Sequence, residues 1–63
     1  MKVLAFDIAT KTGVCVGDAG QKPKAWTVNL GDGDGRYAKA IRMCAAYVDQ
    51  FRPDVVAIEA PVG

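Results

Sequence analysis

The chain has 63 residues and a formal net charge of +1, which leaves room for one small domain at most. Its composition, 51% hydrophobic and 24% charged, excludes a disordered or fibrous chain. No apolar run approaches the roughly 20 residues of a membrane span, and the opening MKVLAFDIAT carries an acid within its apolar stretch and no small-residue cleavage site, unlike a secretory leader.

Residues Lys2 to Ile8 alternate as a strand, with Leu4, Phe6 and Ile8 on one face and Val3, Ala5 and Asp7 on the other. Both faces are mostly apolar, which predicts a central strand covered on both sides. A short polar connection, Ala9 to Thr12, leads into a second apolar run, Gly13 to Val16, close enough to form a hairpin. Gly17 to Lys24 contains two glycines and Pro23 and reads as a turn. Ala25 to Leu30 is a half-exposed third strand, with Trp26, Val28 and Leu30 on one face; Trp26 therefore reads as a core residue. The run Gly31-Asp32-Gly33-Asp34-Gly35 then breaks the chain. It lacks both the spacing of a dinucleotide fingerprint and an acid at the twelfth position of a calcium loop, so it reads as turn and cap.

Asp34 is the expected N-cap of a helix from about Gly35 to Phe51. Its apolar stripe is Tyr37, Ile41, Cys44, Val48 and Phe51, widened by Ala40 and Ala45. Pro53 stops the helix, Val55 to Glu59 forms a fourth strand, and Pro61 ends it. The order β-β-β-α-β predicts an α/β fold: an antiparallel meander, then a right-handed crossover helix returning the fourth strand parallel to the first. The expected spatial order is 3-2-1-4. Cys15 and Cys44 lie in apolar contexts and read as buried thiols of a cytoplasmic protein, with a single disulfide as the alternative. Without histidine, the chain has too few ligands for a structural zinc site.

Two acids stand out by position. Asp7 lies near the end of the first strand and Glu59 at the end of the fourth. If these strands are parallel neighbours, both carboxylates emerge at one sheet edge, where open α/β sheets build their sites. Two close carboxylates repel, and a hard cation such as Mg²⁺ or Mn²⁺ relieves the repulsion. Alternatively, Asp7 caps the following turn and Glu59 is a solvated strand end. Asp32 and Asp34 are expected in a loop away from the pair, and Asp54 at the opposite sheet edge.

FDIATKTGVCVG resembles the first strand, turn and second strand of RuvC-like Holliday-junction resolvases, members of the ribonuclease H-like superfamily. RPDVVAIEAPVG resembles the same family's fourth strand, in which Pro-Asp precedes an apolar run ending in glutamate. Ile8 and Ala9 stand where many members carry Pro-Gly. The resemblance implies that Asp7 and Glu59 are catalytic, metal-binding carboxylates of an endonuclease that cuts branched or structured DNA. It also implies that the family's fold continues with a further strand and helices bearing the remaining acids. Residues 1–63 are then expected to be the N-terminal half of a nuclease domain, inactive as they stand.

Weaker signals accompany the acids. Thr10 and Lys11 follow Asp7, and Arg36, Lys39 and Arg42 recur every third residue along the helix. These five can meet a phosphate backbone, or can simply be a polar turn and a solvated helix face. Two other readings remain: the phosphate-binding segment of an actin-like ATPase or sugar kinase, and a non-catalytic, self-associating binding fragment. An uncovered sheet face and an open fourth strand predict a homodimer or higher oligomer.

Overall fold

A computed structural model describes residues 1–59 of the chain. Five elements follow one another: β1 (Lys2–Asp7), β2 (Lys11–Asp18), β3 (Lys24–Asn29), α1 (Arg36–Phe51) and β4 (Val55–Glu59). They form a small α/β domain with one mixed sheet in the order β3-β2-β1-β4. β1–β2 and β2–β3 are antiparallel, whereas β1–β4 is parallel. The expected strand order, with β4 parallel to β1, is therefore observed. Pro61, read as the stop of β4, lies outside the described residues.

The pleat sorts the sheet into two unlike faces. On one, Leu4 and Phe6 of β1 meet Val14 and Val16 of β2, and all four are buried. Trp26, Met43, Cys44, Tyr47 and Phe51 pack against this cluster from β3 and α1. Fully burying side chains such as Leu4 and Phe6 contributes roughly 1.5–3 kcal/mol each. The aromatic layer is tight: Trp26 and Tyr47 meet edge-on at 5.5 Å, and the Trp26 indole N–H donates to the Tyr47 hydroxyl at 3.1 Å. Trp26 is thus a packing residue.

The helix seats itself differently from the expected stripe. Ala40 is buried, and Met43, Cys44, Tyr47 and Phe51 lie on the cluster. Tyr37 and Ile41 are 62% and 70% exposed, and Val48 is also exposed. The apolar positions span an arc wider than one contact stripe, and the aromatic contacts from Trp26 to Tyr47 and Phe51 go with the side that is buried. Asp34 does not cap the helix. Gly35 occupies the N-cap without a side-chain bond, and the Arg36 N–H donates to the Gly33 carbonyl at 3.1 Å.

At the other end, Arg52 takes the left-handed conformation (φ 47°) and its N–H donates to the Val48 carbonyl at 2.9 Å. This reverses the chain into β4. Lys2 fixes the start of the parallel pair: its N–H donates to an Asp54 carboxylate oxygen, and its Nζ donates to the Phe51 carbonyl. Asp54 therefore sits at the sheet edge opposite Asp7, as expected.

Three further expectations are corrected. β2 runs from Lys11 to Asp18, longer than the Gly13–Val16 apolar run, because its backbone is paired on both sides. β1 ends at Asp7 and β3 at Asn29, each one residue earlier than read. β1 is central but is not covered on both faces: Val3 is 36% exposed and Ala5 is half-buried on the face away from α1. Cys15 and Cys44 are free and half-buried. Among the described residues, no helix is long and apolar enough to cross a membrane.

Candidate functional site

The parallel pairing of β1 and β4 sets Asp7 opposite Glu59. Paired residues of adjacent strands point to the same face, and neighbouring strands lie about 4.8 Å apart. The two carboxylates therefore stand side by side at the carboxyl ends of parallel strands, on the face away from α1. The ladder continues past them, since the Ile8 N–H donates to the Glu59 carbonyl at 2.7 Å. Both acids are exposed. Gly13 of β2 is the partner of Asp7 on the other side, and a Cβ there would lie 3.7 Å from the Asp7 Cβ, in ordinary contact.

Below the acids, this face is paved with small side chains. Ala5, Gly13, Cys15, Ala25, Thr27 and Ala57 floor an open depression of about 600 Å³ that Asp7 and Glu59 also line. The alternation of small residues through all four strands was the available sequence signal for this hollow. It is easily overlooked, because small residues register as weakly apolar rather than as a shape.

The loop after Asp7 is fastened from beneath. Thr12 is fully buried, its hydroxyl donates to the Ala9 carbonyl at 2.8 Å and accepts from the Ala9 N–H at 3.3 Å. The Thr10 carbonyl accepts from the N–H of buried Leu30 at 2.8 Å. These bonds satisfy a buried hydroxyl that would otherwise be costly and hold Thr10 at the edge bearing the acids.

Helix α1 begins at this same edge. The Thr10 hydroxyl donates to Asp32 Oδ1 at 3.0 Å and accepts from Arg36 Nη1 at 3.3 Å. Arg36 Nη2 donates to the Tyr37 hydroxyl at 3.2 Å, with the guanidinium 5.0 Å from the Tyr37 ring centre. Among the described residues Arg36 has no carboxylate in salt-bridge contact. Asp32 is thus docked on Thr10 in the loop that follows Asp7. Asp32 and Tyr37 are the neighbours that sequence reading missed, since only tertiary docking brings residues 10, 32 and 36 together.

The basic residues separate into two groups. Lys11 opens β2 opposite Asn29, on the same face as Gly13, and joins Thr10 and Arg36 at the acid edge. Lys39 and Arg42 are exposed on α1. Each three-residue step turns about 60° back around the helix, so Arg42 points about 120° away from Arg36 rather than forming one line with it.

The two carboxylates match the donors a hard cation takes, and Mg²⁺ commonly binds through one or two carboxylates with water completing its shell. Among the described residues, no group of three or more His, Cys, Asp or Glu side chains is placed to hold a metal ion. The Asp7–Glu59 pair is therefore a two-carboxylate donor set, which Asp32 does not complete. Comparison of the chain with protein-family models, curated proteins and solved structures finds no significant match.

Proposed function

We propose that the chain is the N-terminal part of a ribonuclease H-like, RuvC-like endonuclease that hydrolyses phosphodiester bonds in branched DNA. The observation that supports this reading best is the register Asp7 opposite Glu59 at the carboxyl ends of adjacent parallel strands. Asp7 and Glu59 hold Mg²⁺ or Mn²⁺, which when bound supplies charge neutralisation and an activated water for in-line displacement. Thr10, Lys11 and Arg36 receive the phosphate beside the acids, and Lys39 and Arg42 meet the backbone farther along α1. A two-carboxylate set binds the ion weakly, so this chain alone is an inefficient nuclease. It acts in the cytoplasm and self-associates as a dimer or higher oligomer.

Titration with Mn²⁺, followed by electron paramagnetic resonance, tests the site directly. The wild-type chain is expected to bind Mn²⁺ in the millimolar range or tighter. Asp7→Asn combined with Glu59→Gln should abolish that binding without changing the circular dichroism spectrum. Equal binding by wild type and double variant would remove the acid pair from the proposal. Gel-shift assays with a four-way junction then test the substrate, with Arg36→Gln expected to weaken binding more than Arg42→Gln.

A further inference from the structure

The glycine- and aspartate-rich run before α1 does more than break the chain, because it carries Asp32 to the loop that follows Asp7. The start of the run is anchored: the N–H of buried Leu30 donates to the Thr10 carbonyl at 2.8 Å. Asn29 Oδ1 then accepts from the Gly31 N–H at 2.9 Å, and Gly31 takes the left-handed conformation (φ 78°) that glycine adopts without strain. The chain turns there, and the next side chain reaches back across the loop. Asp32 Oδ1 accepts the Thr10 hydroxyl proton at 3.0 Å.

A threonine hydroxyl has a single proton to give, a carboxylate only accepts and a guanidinium only donates. Asp32 therefore takes the Thr10 proton, which leaves the oxygen lone pairs for Arg36, whose Nη1 donates to them at 3.3 Å. The second handle on Arg36 is the Tyr37 hydroxyl, which accepts from Nη2 at 3.2 Å. Both oxygens that hold the guanidinium are neutral. A carboxylate bonded directly would occupy the fork that a phosphate uses, and among the described residues none is in salt-bridge contact with Arg36. Asp32 steadies the cation from one hydroxyl away and leaves its fork open. Arginine loses much rotamer freedom when it binds a ligand, and a side chain held beforehand loses less.

We infer that Asp32 is a positioning residue: acting through the Thr10 hydroxyl, it sets the Arg36 guanidinium to receive a phosphate group. This rests on the phosphate-binding role proposed above for Thr10 and Arg36, and is independent of the metal part of that reading. It also fixes a sign. By charge alone, loss of an acid beside a phosphate site strengthens phosphate binding. Loss of the acid that orients Thr10 weakens it.

Fluorescence anisotropy with a labelled four-way junction in EDTA keeps metal binding out of the measurement. Asp32→Ala should weaken binding about threefold, the scale of an exposed charge-assisted bond, although it removes a negative charge. Asp32→Asn loses the same charge but keeps an acceptor oxygen, and should bind at least as tightly as wild type. In a Thr10→Val background, Asp32→Ala should weaken binding no further, because the two residues act as one unit. A second readout needs no DNA: the NMR order parameter of the Arg36 Nε–H should fall in Asp32→Ala and hold in Asp32→Asn, with circular dichroism unchanged in both. If Arg36→Gln weakens junction binding while Asp32→Ala leaves it unchanged or tighter, the positioning role is overturned and the phosphate reading stands. An unchanged Arg36 order parameter in Asp32→Ala overturns the positioning role equally. Junction binding that is the same, or absent, in wild type and Arg36→Gln overturns the phosphate reading and the inference with it.

Discussion

β1 and β4 run side by side in one parallel ladder and each ends in an acid, yet they are held in different ways. β1 has a strand on either side, and its α1-facing side chains, Leu4 and Phe6, are 0% and 2% exposed. Among the described residues β4 has a strand on one side only, and its corresponding residues, Val56 and Ile58, are exposed. Asp7 is therefore carried by the core, whereas Glu59 is carried by the ladder. The separation of the two carboxylates depends on how well the second strand stays paired. Elements with few buried apolar contacts open locally at lower free energy than the core, so β4 is expected to open more readily than β1.

The contrast is easiest to test by truncation. Leu4→Ala should cost about 3–4 kcal/mol, a large share of the stability of a domain this small. Ile58→Ala should cost under about 1 kcal/mol, because most of its surface is already wet. Urea denaturation followed by circular dichroism measures both, and similar losses would erase the distinction. Thr12→Val tests the fastening of the loop beside Asp7. Removing the buried hydroxyl leaves the Ala9 amide groups without their partner, at a cost of about 1–2 kcal/mol. Faster amide exchange at residues 9 and 10, with β4 unchanged, would confine the effect to the β1 side.

The smallest effect concerns Cys44, which belongs to the covered face. Burial pushes its thiol up from the ordinary value of 9.0. The neutral form is favoured in the fold, so this contribution is complete below that value and is lost as pH rises through the raised one. At neutral pH, iodoacetamide should modify Cys44 more slowly in the folded chain than in urea. Equal rates would place it outside the packed layer.

Much of the fold could be read in the residues. Alternation in β1 and β3, the length of the helix and the short β4 run fix the element order. The handedness of crossovers then puts β4 beside β1, and with it Glu59 beside Asp7. What could not be read depends on which neighbour an element meets. Tyr37, Ile41 and Val48 satisfy helical periodicity as well as Ala40, Met43, Tyr47 and Phe51 do. Periodicity finds an apolar arc but not the portion that Trp26 and Phe6 will cover. The contact between Asp32 and Thr10 was hidden for a related reason. It spans 22 positions and exists only because β3 returns the chain to the edge where β1 ended.

The left-handed turn at Arg52 has a consequence beyond ending the helix. With Pro53 and Asp54 it is the spacer that sets the phase of β4. Strand side chains alternate with a period of two, so adding or deleting a single residue there while the backbone ladder re-forms would exchange the two faces of β4. Ile58 would then stand next to Asp7, or Glu59 would turn toward the helix. The pairing of the two acids is thus written in a parity: whether the spacer after α1 has an odd or an even number of residues.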